Sequence, residues 1–402
     1  MQRFLHLNRR RLERQTEQTR LQPNFPHVHR PMNAKFFLPL IMRERFLAIG
    51  VVTSLIFLLF GHFLLSGLDA RWWLAFIFAW LFVVILGSAL AVVRHAEQLA
   101  RRLGEPYGTL ILTLSITSIE VVSITAIMLH GANNPTLARD TLFAVTMIVL
   151  NGMVGLSLLL GGWRHREQHY NLQGANAYLG VIIPLGTLAL VLPNFTTSTP
   201  GPVLSFAQEM FLAIISFGLY MAFLALQTRR HRSYFRLDDE VDPDQNEEHR
   251  SSEGVLKHAM FLVAYLLPVV FLAEQLAPPV DYVVETMNEP AALAGLTMAV
   301  LVATPEAIGA VKAAGENHLQ RSINIFLGSV LSTTGLTIPA ILMVSHFTHH
   351  PVTLGLQHTD LILFLLTLML CVMTFSSRRT HVLQGIVHLI LFASYLFFIF
   401  AG

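Results

Sequence analysis

Two glutamates stand alone in long apolar stretches, Glu120 and Glu306. A charged side chain at the centre of a bilayer costs about 3 kcal/mol or more, so such a residue is functional by default. A structural ion pair would need a basic partner at the same depth. Lys312, six residues past Glu306, lies nearer the end of its stretch and is expected to snorkel outward. Low dielectric favours the protonated form of a carboxyl group, a second carboxylate nearby favours it further, and a bound cation favours the ionised form. Cations and protons therefore compete for the same oxygens. Two carboxylates can exchange two protons for one divalent cation with little change in buried charge.

The neighbours of Glu120 suit a hard cation. Thr113, Thr117 and Ser123 stand at −7, −3 and +3 from it, on one helical face, and hydroxyl oxygens are ligands that calcium accepts. Hydroxyls in apolar helices also bond their own backbone, so either use is open to each. Around Glu306 the supply differs. Thr304 and Pro305 precede it, and Ala303, Gly309 and Ala310 are small. Proline lacks a donor and frees the carbonyl four residues earlier, at Leu301, so a helix break is expected at Pro305. Asn151, Ser329, Ser332 and Thr333 are expected to face the glutamates from partner spans.

These glutamates occupy matching places in two halves. Glu105-Pro106 precedes Glu120 by fifteen residues, and Glu289-Pro290 precedes Glu306 by seventeen. A matching span follows each, with Ile148-Val149-Leu150-Asn151-Gly152 in the first half and Ser329-Val330-Leu331-Ser332-Thr333 in the second. Chance likeness between two Leu/Ala-rich helices is the alternative reading.

The elements that hold them are membrane helices. Of the 402 residues, 53% are hydrophobic and 13% charged, against about 25% charged in a soluble domain. Residues 46–68, 72–93, 141–163, 322–359 and 380–402 contain no Asp, Glu, Lys or Arg. About 20 apolar residues span a bilayer as a helix. A transmembrane barrel would show strands of about ten alternating residues instead. Eleven spans are expected, at about 46–66, 72–93, 106–130, 140–162, 174–193, 205–227, 256–277, 290–314, 322–346, 358–376 and 380–401.

Loop charge orients them. Arginines follow the even-numbered spans: Arg94, Arg101 and Arg102; Arg164 and Arg166; Arg229, Arg230, Arg232 and Arg236; Arg321; Arg378 and Arg379. Loops after odd-numbered spans are poor in positive charge. This alternation predicts a cytoplasmic N-terminus and an outside C-terminus. It also sends the two glutamate-bearing repeats into the membrane from opposite faces, as inverted repeats of secondary transporters do.

Four regions follow: a basic cytoplasmic tail over 1–45, a first membrane half over 46–236 with its repeat beginning near 72, an acidic cytoplasmic linker over 237–255, and a second membrane half over 256–402. The tail holds ten Lys/Arg and three Glu, too charged for an ordinary signal peptide. A surface helix near 9–20 and a disordered tail are both open. The linker reads as a solvated spacer or a cation-attracting segment. A single cysteine, Cys371, leaves no intrachain disulfide. Glu209 and Glu274 read as interfacial, and His346, His349, His350 and His358 as a solvated loop, with adventitious metal binding the alternative. His381 and His388 read as packing or hydrogen-bonding residues, with a proton relay the alternative.

The motifs resemble the bacterial calcium/proton antiporters of the calcium:cation antiporter superfamily, in the enterobacterial branch also described as sodium-potassium/proton antiporters. The likeness covers about residues 90–402. It rests on His95, Gly104-Glu105-Pro106-Tyr107-Gly108, the 115–120 segment, Thr304-Pro305-Glu306 and Gly328-Ser329-Val330-Leu331. It implies one extra helix plus two inverted five-helix repeats, with Glu120 and Glu306 as the shared cation and proton site. Much of the superfamily has Gly-Asn-Ala before each glutamate, where this chain has Thr117-Ser118-Ile119 and Ala303-Thr304-Pro305. Calcium, sodium and potassium therefore all stay open as cargo.

The expected fold is all-α and polytopic, in the inner membrane of a bacterium. The expected function is exchange of cytoplasmic cations for protons by alternating access, with a sodium/potassium exchanger lacking calcium transport as the alternative. A passive channel would show a pore-loop filter in a symmetric oligomer, an intramembrane enzyme a nucleophile–base pair or metal triad at membrane depth, and a scaffold would not explain two midplane glutamates, so all three fit less well. The bilayer, cations and protons are the expected partners, with no cofactor and no nucleic acid. A homo-oligomer is compatible with the sequence.

Overall fold

A computed structural model describes residues 44–104, 107–130, 135–235 and 252–401. The Glu105-Pro106 pair, the tail up to residue 43 and most of the acidic linker lie outside the described residues.

Eleven helices account for nearly all of what is described. They are α1 (Arg45–Leu65), α2 (Arg71–Leu103), α3 (Tyr107–His130), α4 (Leu137–His165), α5 (Leu172–Phe195), α6 (Phe206–Arg230), α7 (Gly254–Thr286), α8 (Ala292–Gly315), α9 (Leu319–Thr348), α10 (His358–Thr374) and α11 (Val382–Ala401). Ten are long and apolar enough to cross a membrane, and α10 is a shorter apolar helix. Helices satisfy their own backbone groups, which lipid cannot do. Two helices outrun the apolar stretches that announced them. α2 continues through Arg94, Arg101 and Arg102, and α7 continues through Tyr282–Thr286 as a π-helical turn.

Burial sorts the helices into layers. In α4 and α9, 83% and 78% of the apolar window is buried, against 22% in α1, α7 and α11. The first two are central, and the others expose Leu58, Phe63, Leu267 and Phe397 outward. A soluble protein avoids apolar faces of this extent. Trp72 and Trp163 are exposed near helix ends, where interfacial aromatics belong.

The halves repeat in order. After α1, each set of five has its glutamate on the second helix (α3, α8) and a π-helical turn in the third. That turn spans Ile148–Met153 in α4 and Thr333–Thr337 in α9. Such turns widen the helix locally and are frequent at functional sites. The sets interleave: α2 packs along α7, and α8 packs along α4. Two short strands, β1 (Gln168–His169) and β2 (Arg379–Thr380), pair antiparallel and tie the α4–α5 loop to the α10–α11 loop.

Candidate functional site

Glu120 is 2% exposed and Glu306 is 9% exposed. Glu120 projects from α3 into the π turn of α9. Thr333 donates to its Oε1 at 3.1 Å and its Oε2 at 3.2 Å, and Thr337 donates to Oε2 at 2.6 Å. The carboxylate of one half is thus held by hydroxyls of the other. Glu306 on α8 lies within electrostatic range of Glu120, and the Ser329 hydroxyl is its hydrogen-bonding neighbour. Its Oε2 is buried with no hydrogen-bond partner among the described residues. Unpartnered buried oxygens are rare in folded proteins and point to strain, catalysis or a bound ion.

The remaining oxygens divide. Thr117 and Ser123 are buried beside Glu120, and their hydroxyls have no partner among the described residues. Thr113 hydrogen-bonds Tyr220 on α6. Thr304 donates to the Val300 carbonyl and Ser332 to the Ser329 carbonyl, so both are occupied by their own helices. Lys312 is exposed, 4.0 Å from Glu316.

Two expectations are corrected. Pro305 does not break its helix, because α8 runs uninterrupted from Ala292 to Gly315. The ring removes one backbone donor, but neighbouring helices hold the segment in register. Asn151 does not turn to the glutamates. Its Nδ2 donates to Thr367 of α10 at 2.7 Å, and its Oδ1 lies 3.2 Å from His388 Nδ1 of α11. Thr337 and Tyr220 are site residues that sequence reasoning missed. Thr337 stands one turn beyond Thr333, which was the available signal; Tyr220 had none.

A cavity of about 260 Å³ leads to Glu306. It runs past Pro305, Ser329 and Ser332 to Glu97, Gln227 and Arg321, and Arg321 is exposed. Glu120 does not line it. At that end His95 of α2 and His258 of α7 meet Nδ1 to Nδ1 at 2.9 Å. Another buried polar group lies on α4, where Arg139 pairs with Asp140 at 2.8 Å and donates to the Gly355 carbonyl at 3.2 Å.

Interleaved helices around paired buried carboxylates define a polytopic membrane transporter fold. The chain belongs to the sodium/calcium exchanger protein family, whose model matches residues 73–229 and 257–401. It is 42% identical over 320 residues to the sodium-potassium/proton antiporter ChaA of Escherichia coli, covering 79% of this chain and 87% of that one. It is 44% identical over 314 residues to the putative ionic transporter y4hA of Sinorhizobium fredii, covering 78% and 85%. Among solved structures, native YfkE superposes with a TM-score of 0.68 at 20% identity, covering 89% of this chain and 99% of that one. The H+/Ca2+ exchanger CAX superposes with a TM-score of 0.66 at 14% identity, covering 88% of each. These two likenesses are of fold.

Proposed function

We propose that the chain is a secondary transporter that exchanges cytoplasmic cations for protons, with Glu120 and Glu306 binding either species in competition. The observation that carries this reading is the cross-half grip on Glu120 beside a Glu306 whose Oε2 has no partner. Burying two carboxylates among neutral hydroxyls is costly unless protons or a cation neutralise them. Thr117 and Ser123, unpartnered, supply further oxygen ligands.

Access supports the same reading. The cavity reaches Glu306 from the end carrying Glu97 and Arg321. Loop charge favours the cytoplasm for that end, with the N-terminus cytoplasmic and the C-terminus outside, and the bacterial relatives support the inner membrane. This arrangement fits an inward-facing state, and rocking of the interleaved halves would carry the site to the other side.

The cargo is calcium, sodium or potassium. The neutral hydroxyl surroundings, together with the name of the 42% identical relative, favour a monovalent component. Everted membrane vesicles with an imposed pH gradient test the proposal, with calcium, sodium and potassium added in turn and a pH-sensitive dye following protons. At least one cation should dissipate the gradient; if none does, the exchanger reading fails.

A further inference from the structure

α4 and α11 meet backbone to backbone. A Cβ built on Gly385 would lie 2.6 Å from the Leu159 nitrogen and 2.8 Å from the Gly155 carbonyl oxygen. On this seam, away from the cavity, runs a chain of buried side chains. Thr374 and His388 Nε2 are 2.9 Å apart, His388 Nδ1 and Asn151 Oδ1 3.2 Å, and Asn151 Nδ2 and Thr367 Oγ1 2.7 Å. Thr367 in turn donates to the Leu363 carbonyl at 2.8 Å.

The Asn151 amide as placed gives the chain one direction of donation. Thr367 donates to the Leu363 carbonyl, with the Met147 sulfur a weaker acceptor at 3.5 Å, and accepts from the Asn151 amide. The Asn151 oxygen then accepts from Nδ1–H of His388, and Nε2 accepts from Thr374. The Leu150 carbonyl is a further hydrogen-bonding neighbour of the ring.

Asn151 belongs to the π turn of α4, and α8, the helix of Glu306, packs against that turn. In the other half the corresponding π turn sends two hydroxyls to the opposite glutamate. Here the carboxamide is drawn to α10 and α11 instead, and Oε2 of Glu306 has no partner among the described residues.

We propose that His388 is a positioning residue for exchange. It holds the Asn151 carboxamide away from the carboxylate pair and so leaves Oε2 of Glu306 open to the cation. The inference rests on the exchanger reading.

Cation-dependent proton movement in everted vesicles tests it. His388→Leu removes the donor to Asn151 and should raise the apparent KM for the cation about tenfold, the scale of one lost buried hydrogen bond, with little change in maximal rate. His388→Asn keeps an N–H near the Nδ1 position and should restore the wild-type KM. In an Asn151→Ala background, His388→Leu should add less than about a twofold change, since the histidine acts through the amide. The same factor in both backgrounds overturns the proposal. So does an unchanged KM in H388L while Glu306→Gln abolishes exchange, an outcome that leaves the exchanger reading intact. A wild-type protein that moves no protons overturns both. Should H388L fail to insert, His388→Asn and His388→Gln decide. Gln places its amide near Nε2, so equal KM values for the two variants overturn the proposal.

Discussion

Thr337 donates a 2.6 Å hydrogen bond to Oε2 of Glu120 from the opposite half of the chain. Thr333 donates to both oxygens of the same carboxylate. Both donors are neutral hydroxyls. Neutral donors stabilise an ionised carboxylate without cancelling its charge. On the proposed exchange, cancellation is left to the proton or cation that arrives.

Charge-neutral replacement of either glutamate is expected to abolish exchange. Glu120→Gln and Glu306→Gln preserve shape but can neither release a proton nor bind a cation as an anion. Dye-reported exchange should fall to the level of vesicles lacking the protein, while immunodetection finds both variants in the membrane fraction. Full activity in either variant would remove that glutamate from the site.

Thr337→Val should weaken cation binding. A hydrogen bond to a charged group contributes about 1.5–3 kcal/mol, so the apparent cation KM is expected to rise by about tenfold or more. Thr337→Ser retains the hydroxyl and should stay near wild type. Equal behaviour of the Val and Ser variants would show that the hydroxyl donor does not set cation affinity.

Gly385→Ala is a prediction about stability. The added methyl would meet main-chain atoms of α4 rather than a side chain able to turn away. Overpacking of this kind costs about 1–3 kcal/mol. The thermal unfolding midpoint in detergent should drop, and an unchanged midpoint would mean that the α4–α11 seam yields easily.

Alkaline stability should depend on Tyr170. Its hydroxyl donates to the Ser377 carbonyl in the loop between α10 and α11, and burial holds the phenol above the usual tyrosine range. The folded protein therefore keeps a proton that the unfolded chain releases above about pH 10. This contribution is complete below that pH and declines as pH rises beyond it. Tyr170→Phe, which cannot ionise, should flatten the fall in the unfolding midpoint between about pH 9 and 11. Parallel curves for the two proteins would exclude the phenol as the cause.

The helices were legible because a charge-free run of twenty or more residues suits a lipid-facing helix and little else. Glu120 and Glu306 were legible for the same reason, as polar exceptions within those runs. Thr333 came from matching the halves, and that matching ended before Thr337. The π turns left no mark on the apolar pattern, since an i→i+5 turn alters hydrogen bonding without altering composition. Asn151 misled because its partners, Thr367 and His388, lie 216 and 237 residues away. Pro305 misled because local propensity yields to packing when neighbouring helices hold the backbone.

The grip on Glu120 also bears on how the protein is made. Thr333, the hydroxyl partner nearer in sequence, follows it by 213 residues, and a ribosome adds only about 5–20 residues each second. For the time needed to synthesise the second half, Glu120 sits in the bilayer without the partners it will have in the finished molecule. Completion of the site is thus a late event in biogenesis.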